Sequence, residues 1–224
     1  RAAGWPSEQR ISQRASVVRM EGLSWESYLA TRAKKWRQEM GRQQRSLHKN
    51  FEVGLERHRP LGAGSDPRWD LYEDCLTIAE QSWQGASTTG NTLSHGGVRA
   101  FLKNCHQIAV ELGMLDMMVL KLDGRPAAFQ YNYQYAGHLF GLRMGFDPDF
   151  AKQGVGRALV GWMFQDSFAR GDRLIDLGLG DYEFKLRFRT EVQTSYSHAY
   201  CPPQAWRGQS LRLARWVKSH WTTE

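Results

Sequence analysis

The sequence predicts an α/β fold layered around a mixed sheet, and three observations carry that prediction. Residues 114–146 read as three consecutive strands joined by two tight turns. An apolar run of helical length at 154–170 leads straight into a further apolar strand at 174–179. Helical periodicity dominates the chain before the meander. A strand-helix-strand crossover is right-handed almost without exception, so the strand at 174–179 is expected to pair parallel to the third meander strand.

The elements follow in order. Residues 1–23 form an entry segment in which 15–20 suits a strand; it either pairs with this sheet or is the remnant of a preceding domain. The main domain is residues 24–224. Ser24 suits an N-cap, with Glu26 favourable near the helix start. From there Trp25, Leu29, Trp36, Met40 and Leu47 recur at the spacing of one half-exposed helix. Phe51 to His58 alternates apolar and polar residues, the period of a half-buried strand. Pro60 to Pro67 is a turn-rich link, and Pro67 suits the first turn of a helix running to about Trp83. Gln84 to Gly97, rich in Gly, Ser and Thr, reads as a loop. The next helix is expected to bury Val98, Phe101, Leu102, Cys105, Ile108, Ala109 and Leu112 and to stop at Gly113. Asp123-Gly124 between two apolar runs is a hairpin signal, and Ala136-Gly137 marks the second turn. Val192 to Tyr200 suits a last strand and Pro202 to Trp221 a closing helix.

Composition narrows the function classes. Hydrophobic residues at 41% and charged residues at 24% exclude a disordered or collagen-like chain. No apolar run has the length needed to span a bilayer, so membrane insertion is not expected. Cys75, Cys105 and Cys201 lie far apart and fit a reduced, cytoplasmic protein. The seven histidines include no close pair with metal-ligand spacing, so no metal site is expected. The chain opens at Arg1 without a Met or a signal-peptide pattern, and is read as a piece of a longer protein. The net charge of +7 is uneven: residues 1–60 hold 13 Lys/Arg against six Asp/Glu, and the remainder balances. Most of the excess lies on one helix, at Arg32, Lys34, Lys35, Arg37, Arg42, Arg45 and Lys49. It reads either as a solvated face or as a surface for an anion or nucleic acid.

The most informative stretch is Gly141 to Val160, where a strand enters a short loop and a helix opens at Gly154-Val155-Gly156. Glycines let backbone approach a ligand closely, and the free amides and dipole of a helix start attract phosphate oxygens. Lys152 and Arg157 add positive charge beside Gln153. The physical expectation is a diphosphate held at 153–157; the alternative is a glycine turn that permits tight helix packing.

This stretch resembles the acyl-CoA diphosphate motif of the GNAT acyltransferase superfamily. The wider pattern is similar to its FemAB-like branch, which includes the cellulose-biosynthesis (CelD-type) acetyltransferases. The matching pieces are Trp25 to Leu47, Ser82-Trp83-Gln84-Gly85, Leu120 to Ala128, Gly145 to Phe150 and Asp176 to Lys185. They cover about residues 24–190. The resemblance implies a mixed, mostly antiparallel sheet of about seven strands, splayed at its centre, with helices on both faces. The arm of acetyl-CoA or another acyl-CoA would lie in the splay between Leu142–Phe146 and Ile175–Leu179. Met144, Gly145, Phe146, Lys152, Gln153, Gly154, Val155, Gly156 and Arg157 are then the expected donor-binding residues. The implied reaction is acyl transfer to an amine on a small molecule, saccharide or peptide.

Three residues are candidates for the chemistry. Asp176, in an apolar strand, is the candidate general base or acceptor-orienting group; its alternative is an acid satisfied by backbone amides or Arg173. Tyr182 is the candidate acid for the leaving thiolate. Lys185, with Asp181 and Glu183, is a candidate for the acceptor side, the alternative being an exposed helical turn. Two competing functions stay open: an aminoacyl-tRNA-dependent transferase, as some FemAB relatives are, and a non-catalytic module on the same fold.

Overall fold

The structure, a computed structural model, describes residues 7–82, 85–86, 92–180, 182–200 and 204–221. The elements are β1 (Ser7–Arg19), α1 (Trp25–Ala30), α2 (Lys34–Asn50), β2 (Val53–His58), α3 (Trp69–Gln81), α4 (Arg99–Glu111), β3 (Leu115–Leu122), β4 (Arg125–Tyr135), β5 (His138–Phe146), a 3-10 helix (Pro148–Gln153), α5 (Val155–Arg170), β6 (Leu174–Leu179), α6 (Glu183–Phe188), β7 (Glu191–Tyr200) and α7 (Trp206–Trp221). Seven strands form one sheet in the order β2-β3-β4-β5-β6-β1-β7. The pairs from β2 to β5 are antiparallel, and β5 pairs with β6 in parallel. The expected fold class is therefore observed. Among the described residues, no helix is long and apolar enough to cross a membrane.

The chain divides into two compact units. The larger, Ser16–Val192, carries two cores, one on each sheet face. Strand alternation separates them: Met118, Leu120 and Ala128 point to one side, Met117, Val119, Phe129 and Tyr131 to the other. The first core is covered by α1, α2 and α5 through Tyr28, Trp36, Met40, Leu159 and Phe164. The second is covered by α3 and α4 through Leu71, Tyr72, Leu76, Leu102 and Ala109. The smaller unit comprises 1–15 and 193–224. In it α7 forms where a closing helix was expected, with Trp206, Leu213 and Trp216 exposed.

Most elements match the sequence reading, and the departures have physical causes. The single helix expected from Trp25 to Leu47 is two. Ser24 caps α1 as expected, in a capping box closed by Ser27, with Glu26 in the first turn. The helix then breaks at Thr31–Ala33, because Tyr28 Oη and Arg32 Nη1 donate to the backbone carbonyls of Phe188 and Arg189, 2.7 Å each. The face expected to be buried on α4 is turned. Phe101, Ile108 and Leu112 are exposed, Cys105 is half-buried, and His106 is fully buried. The sequence reading placed Cys105 in the core; His106 takes that place because two partners satisfy it. Pro67 O can only accept, so Nε2 (2.7 Å) is the protonated nitrogen and Tyr131 Oη donates to Nδ1 (3.1 Å). Burial holds the His106 pKa below its ordinary value, consistent with this neutral tautomer.

A buried ionic cluster ties β2, β3 and α5 together. Arg57 donates to Asp116 (2.8 Å), Asp166 (2.8 Å), Ser167 Oγ (2.8 Å) and Met163 O (3.0 Å). Arg59 bridges Asp116 and Asp172. Asp116 is fully buried, so its removal strands two guanidiniums. Burial alone would raise the Asp166 pKa, but the Arg170 hydrogen bond and the Arg57 charge outweigh it and lower the pKa. Asp116→Ala is expected to lower unfolding stability by about 3–5 kcal/mol, read as a reduced midpoint in urea denaturation.

Candidate active site

The site begins with a register change. β4 pairs Tyr131 with Arg143 but Asn132 with Gly141, which leaves Leu142 unmatched. Such a bulge bends its strand and increases the local twist. On the other edge of β5, pairing with β6 covers only His138–Leu174, Leu139–Ile175 and Phe140–Asp176. Gly141 then lies so close to β6 that a Cβ would stand 3.0 Å from Asp176 O. Beyond that point the two strands part.

The gap opens into a cavity of about 590 Å³. β5 lines it from Gly141 to Phe146, and β6 contributes Ile175 and Leu177. Val160 and Met163 of α5 close one wall, Gln130 and Asn132 of β4 form the floor, and Tyr182, Phe184 and Lys185 stand on the remaining side. Most of these side chains are apolar, as in a ligand cavity with a few placed polar groups.

Next to it lies the glycine loop. Asp147, buried, caps the 3-10 helix by accepting from Asp149 N (3.0 Å) and is held by Arg125 (2.6 Å), so its role is the turn. Gly154 adopts φ 67° and serves as N-cap of α5 without a side-chain cap. The amides of Val155, Gly156 and Arg157 make no hydrogen bond outside their own helix among the described residues. They are the orphan donors of a helix start. The glycines also let helices pack closely: a Cβ on Gly154 would overlap the side chain of Gln43, and one on Gly161 would stand 2.8 Å from Met40 Sδ. The sequence offered anion binding and tight packing as alternatives; the geometry accommodates both.

The predicted residues divide by place. Met144, Gly145 and Phe146 line the cavity, as do Tyr182 and Lys185. Lys185 is buried, donates from Nζ to Leu179 O, and lies 5.3 Å from the Tyr182 ring centroid. Gly154 and Gly156 frame the helix start, Lys152 and Arg157 are exposed beside it, and Gln153 and Gly156 are half-buried. Val155 instead points into the core. Asp176 does not line the cavity. Its neighbours Ile175 and Leu177 do, so strand alternation turns it away, and its Oδ1 accepts from Gly178 N at 2.7 Å. Asp181 lies outside the described residues, as do Trp83 and Gln84. Gln130, Asn132, Val160 and Met163 were not singled out from the sequence. The signal for the first two was present: polar Gln130 and Asn132 alternate with Phe129, Tyr131 and Tyr133 in a strand whose residues 127–132 are all buried.

The family model described as "Acetyltransferase (GNAT) domain" matches residues 34–186. No curated protein matches the sequence. Among solved structures, L-PGS from Bacillus licheniformis superposes with a TM-score of 0.59 at 15% identity, over 93% of this chain and 66% of that one. FemX superposes with a TM-score of 0.62 at 10% identity, over 92% of this chain and 64% of that one. At these identities the likeness concerns the fold, and the chain spans somewhat less than two thirds of the length of either structure.

The left-handed backbone at Gly154 is a conformation that other residues adopt at a cost. Gly154→Ala is expected to destabilise the protein by about 1–2 kcal/mol, seen as a lower melting temperature.

Proposed function

The chain belongs to the acetyltransferase (GNAT) domain family, and on that premise we propose that it is an N-acyltransferase taking its acyl group from a coenzyme A thioester. The observation that carries this reading is the adjacency of two features. Unpartnered amides at the start of α5 suit the diphosphate of coenzyme A. A mostly apolar cavity begins where β5 and β6 part, and suits its thioester arm. Within the family, we place the chain in the FemAB-like, CelD-type branch on the motif order described above.

In this reading the acceptor amine attacks the thioester carbonyl carbon. The carbonyl oxygen becomes an oxyanion facing the backbone of Met144–Phe146, where N–H donors stabilise it. The C–S bond then breaks, the thiolate takes a proton from Tyr182 Oη, and the proton that the attacking nitrogen loses passes to the tyrosinate or to water, so that Tyr182 ends neutral. Lys185 is a positioning residue, because its bond to Leu179 O holds the turn that carries Tyr182. Asp176 has no direct role here. Its bond to Gly178 N shapes the end of β6 beside the cavity.

A second reading has one supporting observation. The basic face of α2, with Lys35, Arg42, Arg45 and Lys49 all exposed, is a surface on which an aminoacyl-tRNA donor could lie. Steeply salt-dependent tRNA binding without coenzyme A binding would favour it.

Calorimetry with acetyl-CoA tests the first reading. Binding is expected, and Gly156→Trp is expected to abolish it, since a side chain there meets Phe146, 3.2 Å from a Cβ. Unchanged binding in that variant rejects the placement of the diphosphate. Tyr182→Phe is expected to lower kcat about 100-fold or more while leaving the KM of the thioester near its original value, as measured by thiol release.

A further inference from the structure

The floor of the cavity holds polar groups that neither the fold nor the reaction above accounts for. Gln130 is 5% exposed and Asn132 2% exposed. Two residues apart, they share one face of β4 and point into the cavity. Asn132 is fixed in orientation. Its Nδ2 donates to Asp116 Oδ1 (3.3 Å) and Met163 Sδ (3.5 Å), so Oδ1 is the end left to accept. Asp116 is itself held by Arg57 and Arg59, which makes this orientation a consequence of the buried ionic cluster. Gln130 has no side-chain hydrogen bond to any described residue. At the cavity edge, Thr92 Oγ1 is buried and unpartnered. An amide on a residue this buried, with no protein partner and its polar atoms turned to a cavity, is placed to meet what the cavity binds. Of the other lining residues, Met144, Val160, Ile175 and Leu177 offer no hydrogen bond, and the polar ones are Arg143, Tyr182 and Lys185.

Position in the register says which part of a substrate these groups would meet. Gln130 stands directly opposite Met144, at the edge where the thioester carbonyl is placed. A plain alkyl acyl group lying there would exclude water from the Gln130 amide and from Asn132 Oδ1 without pairing them. We propose that the transferred acyl group carries a hydrogen-bond donor, a hydroxyl or an amine, within its first few carbons. That donor is accepted by Asn132 Oδ1, while the Gln130 amide takes the remaining valence. The inference rests on reading the cavity as the acyl-donor site, and it names the class of acyl group that site selects. A site built to pair a polar group rejects the analogue that lacks it far more strongly than an apolar pocket rejects an added group.

The test uses small thioesters without a diphosphate, so that it does not depend on coenzyme A. Butyryl-, 3-hydroxybutyryl- and β-alanyl-N-acetylcysteamine are titrated into the whole chain by ligand-observed NMR, for the natural protein and for Gln130→Met. The 3-hydroxybutyryl or β-alanyl thioester is expected to bind about tenfold tighter than butyryl or better. The tighter of the two identifies hydroxyl or amine as the donor. In Gln130→Met the preference is expected to fall to about threefold or less, with a melting temperature equal to or above the natural one, since an unpaired buried amide has been removed. Equal binding of butyryl, a preference that survives in Gln130→Met, a lowered melting temperature in that variant, or no binding of any thioester would each overturn the proposal. Coenzyme A is titrated separately. Its failure to bind, with the discrimination intact, would remove the coenzyme A reading and leave this one standing.

Discussion

The parting of β5 from β6 is the constraint from which the rest of the site follows. A paired sheet has no room for a ligand between its strands, because each edge satisfies the other's backbone groups. Here the ladder ends after Phe140 and Asp176, although both strands continue. The unmatched Leu142 twists β5 on its other edge, and Gly141 allows the last close approach before separation. The cavity is therefore a gap within the sheet, walled by the same side chains that would otherwise pack a core.

A gap of this kind needs rigid surroundings, and the buried charges supply them. Arg57 and Arg59 on the β2 side reach across β3 to the C-terminal half of α5, with Asp116 between them. A buried charge that loses its partner is costly, so the cluster resists relative movement of these elements. The close packing of α2 on α5, through Gly154 and Gly161, fixes the other end of the same helix. α5, whose start lies beside the cavity, is thus held towards both of its ends.

Much of this was legible in the sequence, and the failures are specific. The meander was readable because Asp123-Gly124 and Ala136-Gly137 take the left-handed conformations that tight hairpins demand. The parallel β5–β6 pair followed from crossover handedness. The glycine loop was readable from composition and context. On α4, however, helical spacing alone could not say that His106, paired by Tyr131 and Pro67, would displace Phe101 and Ile108 from the core. The break between α1 and α2 depends on carbonyls about 157–160 residues away in the chain, which no local pattern encodes. Asp176 illustrates a third limit. An acid in an apolar strand looks functional, yet the strand period sends it away from the cavity that Ile175 and Leu177 face. The floor residues Gln130 and Asn132 left a signal, polar positions alternating with aromatic ones, but that pattern ordinarily marks a solvated face. Only the buried register of β4 shows that these two face a void.

The central claim, that the separated strands and the start of α5 together receive one thioester donor, is tested most directly by backbone amide NMR during titration with coenzyme A. The account predicts saturable shifts concentrated at Val155, Gly156 and Arg157 and, in the same titration, along Met144–Phe146 and at Leu177. Shifts confined to the exposed face of α2, or none at all, would contradict it.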